Sequence, residues 1–116
     1  MLFAVARGAV NGLPVLRVRG ELDLSTVPLL AAYVDDALAP GPRSLVIDLT
    51  DTAFLDSSGA RHLVHTAKRA AEAGTALQVV CPRGNVPVRL IIDLLELQRL
   101  VPVVESATLT DGEVGS

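Results

Sequence analysis

The sequence is short of the residues that usually announce a chemistry. Among 116 residues there is one cysteine, one tyrosine, two phenylalanines and no tryptophan. A single cysteine, Cys81, excludes an intramolecular disulfide. It sits in the apolar run Leu77-Gln78-Val79-Val80-Cys81, with no cation beside it in sequence to lower its pKa. It therefore reads as a buried, inert thiol and not as a nucleophile. No apolar run approaches the roughly 18 residues that a membrane span needs. The first five residues lack the basic start and small-residue cleavage site of a secretory signal, so a cytoplasmic location is expected.

Positive charge is scarce too. Lys68 is the only lysine, and the formal net charge is -3. No basic stripe appears, so neither nucleic acid nor membrane is an expected partner. Arg17 and Arg19, on one face of a strand, read as solvated edge charges. There is no glycine-rich phosphate loop with a lysine, as a kinase or nucleotide hydrolase would want. His62 and His65 are three apart, but no third ligand joins them. No metal and no cofactor are expected.

What is present is a hydrophobic half, rich in alanine, valine and leucine, and a charged fifth. That composition predicts one folded domain with one core, over residues 1–106, with a short tail at 107–116. Residues 2–10 and 13–19 read as strands joined by Asn11-Gly12, a pair suited to a two-residue hairpin turn. Leu16 and Val18 should face inward, opposite Arg17 and Arg19. Gly20-Glu21-Leu22-Asp23 reads as a loop. Ser25 or Thr26 is placed to cap a helix with Pro28 in its first turn, and Ala39-Pro40-Gly41-Pro42 ends it. Leu45 to Leu49 is a strand buried on both faces. A loop containing Phe54 then leads to a second helix, reaching about Ala73. Its apolar stripe is Ala60, Leu63, Val64, Ala67 and Ala71, and its histidines belong to the wet side. Gly74 stops it. Residues 75–81 form another buried strand, Asn85 can cap a third helix, and Val101 to Val104 is extended. The order predicts an α/β fold: a mixed sheet opened by an N-terminal β-hairpin, with a parallel centre packed by helices.

The third helix carries more apolar surface than one buried stripe uses. Val88, Ile91, Ile92 and Leu95 are expected on the sheet. Leu90, Leu94 and Leu97 either face a second copy or a partner, with Ala107, Leu109 and Val114 of the tail giving incomplete cover, or lie buried beneath the 98–102 loop.

Asp56-Ser57-Ser58-Gly59 follows a buried strand and opens a helix. Loops at the carboxyl ends of parallel strands gather on one rim, so the Glu21-to-Asp23 loop should stand near the paired serines. Serine and aspartate are ordinary helix caps, yet two serines and a glycine give more exposed hydroxyls than one cap requires.

These segments resemble motifs of the STAS family, specifically its stand-alone anti-sigma factor antagonists. Gly20-Glu21-Leu22-Asp23 is similar to that family's G-E-L-D loop, and Phe54-Leu55-Asp56-Ser57-Ser58-Gly59 to its F-x-D-S-S-G motif. Their spacing and the later Val103-Val104-Glu105-Ser106 also fit, and the resemblance covers about residues 2–106. It implies a STAS fold and a partner switch. The unmodified antagonist binds an anti-sigma factor that is also a serine kinase, which frees a sigma factor. Phosphorylation of the first motif serine, here Ser57, blocks binding, and a serine phosphatase restores it. The implied binding residues are Glu21, Asp23, Asp56, Ser57, Ser58 and Gly59, with Arg61, four residues after Ser57, placed to pair with the phosphate. Ala60-Arg61 stand where the family usually has Leu and often Gly. Leu94-Leu95-Glu96-Leu97 lacks the family's usual Thr-Gly pair, and residues 106–116 match its closing helix poorly.

Two other readings compete. STAS domains also serve in stress-signalling and lipid-transport assemblies, where the serine is often missing; its presence here favours the antagonist. A small serine hydrolase would use Ser57 with His62 or His65. The motif is not G-x-S-x-G, however, and helical neighbours at those spacings point away from the serine.

Overall fold

The structure, a computed structural model, describes residues 2–107. Tail residues Leu109 and Val114 lie outside them. The chain begins with β1 (Ala4–Val10) and β2 (Leu13–Leu22), paired antiparallel from Ala4↔Arg19 to Val10↔Leu13. Asn11 and Gly12 both take positive φ, 52° and 82°, the backbone a tight hairpin with right-handed twist requires. Leu16 and Val18 are buried and Arg17 and Arg19 exposed, as expected, but the arginines stand on an inner strand paired on both sides and not at the edge of the sheet; Arg17 lies 3.9 Å from Asp48.

Next come α1 (Val27–Leu38), β3 (Ser44–Asp48), β4 (Thr52–Leu55) and α2 (Ser57–Glu72). They are followed by β5 (Ala76–Val80), α3 (Val86–Leu94), a short 3-10 turn at Leu97–Arg99 and β6 (Val103–Val104). The sheet order is β1-β2-β3-β5-β6, with every pairing after the hairpin parallel; β4 pairs with the end of β2. β3 is buried on both faces. Leu45 and Ile47 join the main core with Leu30 and Val34 of α1 and Leu63 of α2. Val46 joins Val15 and Val80 in a small cluster on the opposite face.

Two expectations about the strands are corrected. Residues 20–22 are strand, not loop, and Phe54 lies in a strand, not a loop. The cause is Gly20. With φ +90° it shifts the register at Gly20/Glu21, so β2 bends there and continues against β4. A side chain at Gly20 would stand 2.9 Å from the Phe3 backbone.

The helices bring further corrections. The Ser25 and Thr26 side chains do not cap α1: Asp23 Oδ1 accepts from the Ser25 and Thr26 amides instead. Asn85 starts α3 without a side-chain cap, because its amide donates across the fold to the carbonyls of Leu49 and Thr52, at 2.9 and 2.8 Å. In α2, His62, Thr66 and Ala70 are buried and Ala71 is exposed. The helix packs against α1 as well as the sheet, so its covered face is wider than, and turned from, the expected stripe. In α3, Val88 and Ile92 are buried and Ile91 partly so, while Leu95 is exposed and Leu97 buried. The helix ends at Leu94 and Glu96 takes a left-handed φ of 51°, so helical spacing does not carry through to Leu97. Arg89, on the same helix, is buried.

Candidate functional site

The end of β2 and the end of β4 lie side by side. Leu22 pairs with Leu55, and the Asp56 amide donates to the Leu22 carbonyl at 3.3 Å. Asp23 and Ser57 therefore leave the sheet from adjacent parallel strands, and the two motifs share one rim. Gly59 makes this approach possible. A Cβ there would stand 2.5 Å from the Leu22 oxygen and 2.6 Å from Leu55 Cδ1, so the first turn of α2 rests directly on the β2 backbone. Gly59 is buried; it brings the others together and is not itself a surface.

On the β2 side, Glu21 is exposed and Asp23 half-buried. The Asp23 carboxylate is occupied within its own loop. Its Oδ1 accepts from the Ser25 hydroxyl at 2.8 Å and from the amides of Ser25 and Thr26 at 3.0 and 3.2 Å. The Ser25 hydroxyl is the largest of the causes that hold the Asp23 pKa below the usual carboxylate range. The Thr26 hydroxyl donates to the Glu21 carbonyl at 2.7 Å and ties the loop back to its strand.

On the β4 side, Asp56 is the N-cap of α2, with Oδ1 accepting from the Gly59 amide at 2.9 Å. Ser57 is the first helical residue and is exposed. Its hydroxyl makes no hydrogen bond among the described residues. Ser58 is half-buried, and Arg61 is exposed with no ion pair among the described residues. The rim thus presents two hydroxyls that make no hydrogen bond among the described residues, Ser57 exposed and Ser58 half-buried, at a helix start whose cap Asp56 supplies. The positive end of a helix and its unpaired amides favour an anion at that point.

Sequence reading missed a groove beside this rim. Leu24 and Val27 face Ser58, Arg61, His62 and His65 across an open space of about 340 Å³. Leu24 is 74% exposed, a signal that was legible as an isolated leucine between acidic and hydroxylic residues. His62 is buried, its Nε2 is 3.5 Å from the Thr66 hydroxyl, and its ring centroid is 6.4 Å from that of His65. Burial pushes the His62 pKa below the usual histidine value, and the nearby His65 and Arg69 add to the effect. Neither histidine hydrogen-bonds a serine among the described residues, so no nucleophile–base pair stands here. Cys81 is fully buried, and burial raises its thiol pKa, as an inert thiol should show.

Comparison with known proteins agrees with this architecture. Residues 6–108 match the model of the STAS domain. The anti-sigma-F factor antagonist RsfB of Mycobacterium tuberculosis is 39% identical over 59 residues, which are 51% of this chain and 48% of that protein. The match to this relative thus spans about half of its length. An anti-sigma F factor antagonist of Paenibacillus polymyxa is 29% identical over 109 residues, covering 91% of this chain and 92% of that one. The crystal structure of an anti-sigma factor antagonist from Mycobacterium paratuberculosis has a TM-score of 0.75 at 28% identity, covering 90% and 87% of the two chains. An antiparallel hairpin leading into a parallel sheet, two motifs on one rim and a family match over most of the sequence lead to one assignment: the chain belongs to the STAS domain family.

Proposed function

We propose that this chain is an anti-sigma factor antagonist switched by phosphorylation of Ser57. In this reading the unmodified protein binds an anti-sigma factor with serine kinase activity through Glu21, Asp23, Asp56, Ser57, Ser58 and Arg61. Binding releases a sigma factor. The kinase then phosphorylates Ser57, the complex separates, and a serine phosphatase resets the cycle. The protein is a binding partner and not an enzyme, and works in the cytoplasm.

The observation that carries this reading is the free, exposed hydroxyl of Ser57, beside an Asp56 that does the capping. A phosphate adds about -1.5 to -2 charges near neutral pH. At the first helical position it meets the positive end of α2, and Arg61 is one turn away. The folded domain therefore tolerates the modification. The cost falls on the complex, where a double negative charge would be forced into an interface beside Asp56 and Asp23. Each ~1.4 kcal/mol of that cost is a tenfold loss of affinity.

The experiment is a pull-down from the native cell with wild-type protein and Ser57→Asp, followed by labelling of the captured complex with ATP. The wild type should retain a kinase-fold partner that Ser57→Asp loses, and mass spectrometry should place the phosphate on Ser57. Phosphate on Ser58 instead, or equal recovery of the partner by both proteins, would overturn the assignment. Ser57→Ala should bind that partner and resist switching.

A further inference from the structure

Arg89 carries a charge into the interior and forms no ion pair among the described residues. It is 7% exposed, and its Nε and Nη2 both donate to the Cys81 carbonyl, at 3.0 and 2.6 Å. A guanidinium has five N–H donors; the carbonyl takes two, and three remain on Nη1 and the far side of Nη2. Among the described residues no buried side-chain nitrogen lacks a partner, so the unbonded Nη1 reaches the surface. There lies an open groove of about 280 Å³ lined by Arg83, Val86, Arg89, Leu90 and Asp93. The bonds to Cys81 lock the guanidinium and leave its Nη1–Nη2 edge in the two-donor geometry that fits a carboxylate.

The helix face around this groove is apolar and uncovered. Val86, Leu90 and Leu94, four residues apart, are 65%, 55% and 68% exposed, a contiguous row of the kind that marks a contact surface. Asp93 stands one turn after Arg89 on the same groove. Its carboxylate accepts from Gln98 at 3.1 Å and forms no ion pair among the described residues. Arg83, the other cation of the groove, lies 3.7 Å from Glu105. One face therefore carries a cation lacking an anion, an anion lacking a cation, and an apolar row between and beside them.

Such a face is complementary to itself. Two copies set antiparallel about a two-fold axis present Arg89 of each to Asp93 of the other and bury both apolar rows; an isologous contact satisfies both needs at once. We propose that α3 is the interface of a homodimer, built on Val86, Leu90 and Leu94 and fixed by reciprocal Arg89–Asp93 pairs. The proposal goes beyond the Ser57 switch and does not depend on it.

Light scattering after size exclusion, on the full chain over a range of concentrations, tests it. The wild type should show the mass of two chains when concentrated and of one on dilution. Leu90→Asp and Asp93→Lys, both at exposed positions, should each move that transition to at least about tenfold higher concentration. Their circular dichroism and Tm should stay as in the wild type; Leu94→Asp serves if Leu90→Asp does not fold. A wild type that stays monomeric at its highest soluble concentration overturns the proposal. So does a dimer that the leucine variants leave intact. A dimer weakened by the leucine variants and indifferent to Asp93→Lys overturns the ionic pairing.

Discussion

Two helices, α2 and α3, begin in comparable places, each after a parallel strand, and they solve the start of a helix differently. At α2, Asp56 spends its carboxylate on the Gly59 amide and leaves the next side chain, Ser57, unbonded and exposed. At α3, Asn85 gives its helix no side-chain cap and reaches back to the carbonyls of Leu49 and Thr52. The first arrangement separates the structural task from the proposed acceptor hydroxyl, so a phosphate on Ser57 need not disturb the fold. The second uses the same position to tie down the segment joining β3 and β4. A cap residue is thus a poor guide to function until the destination of its side chain is known.

The comparison breaks most visibly at Gly59. Gly59→Ala would press a methyl against the Leu22 carbonyl and Leu55. It should destabilise the domain by about 1–3 kcal/mol, as overpacking does, and should weaken partner binding by displacing α2 from the β2 end. Chemical denaturation and affinity of the same sample measure both; an unchanged Cm would mean that the contact is relieved at no cost. Asn85→Ala should come next. Removing the donor breaks two hydrogen bonds, one to a Leu49 carbonyl that keeps the Thr52 amide and one to the Thr52 carbonyl, a loss of about 1–3 kcal/mol, with Ser57 phosphorylation unaffected. If that variant lost the switch at constant stability, α3's start would be functional after all.

Smaller effects sharpen the contrast. Asp56→Ala should cost about 1 kcal/mol, the usual value of an N-cap, whereas Ser57→Ala should change stability by less than about 0.5 kcal/mol. Equal losses for the two would mean that Ser57 shares the cap. The smallest effect is on pH dependence. Burial lowers the His62 pKa in the fold, so the unfolded chain takes its proton first as pH falls. Stability should be full above the ordinary histidine range near 6.5, and should decline as pH drops through it towards the folded value. His62→Gln should flatten that decline, as read from Tm between neutral and mildly acid pH.

Much of this was legible in the residues. Asn11-Gly12 gave the hairpin, Pro28 and Gly74 marked helix boundaries, and the apolar run from Leu45 foretold a strand covered on both sides. The alternation of strands and helices already implies one rim for Asp23 and Ser57, and the Leu22–Leu55 pairing sets them there. What escaped depended on contacts between distant segments. β4 has four residues, buried only at its two ends, so it shows no alternation to read. Gly20 looks like a turn because a positive φ inside a strand is indistinguishable in sequence from one in a loop. The burial of Arg89 is not legible because its partner is a backbone carbonyl, and no side-chain pattern announces that. His62 was assigned to the wet face because the position of α1 across α2 is a tertiary fact.

The partners on the two sides of the bend at Gly20 also differ in chain distance. Before it, β2 pairs with a strand two residues away across a tight turn, a closure that costs little chain entropy and needs only microseconds. Beyond it, Glu21 and Leu22 find their partners in Phe54 and Leu55, after α1 and β3 have intervened. Pairings of that separation are made late and slowly. The β3 pairing of β2 is as distant, Val15 against Val46, so β2 joins one local hairpin to long-range parallel pairings on both sides of the bend, and the rim that carries Asp23 and Ser57 depends on the long-range ones.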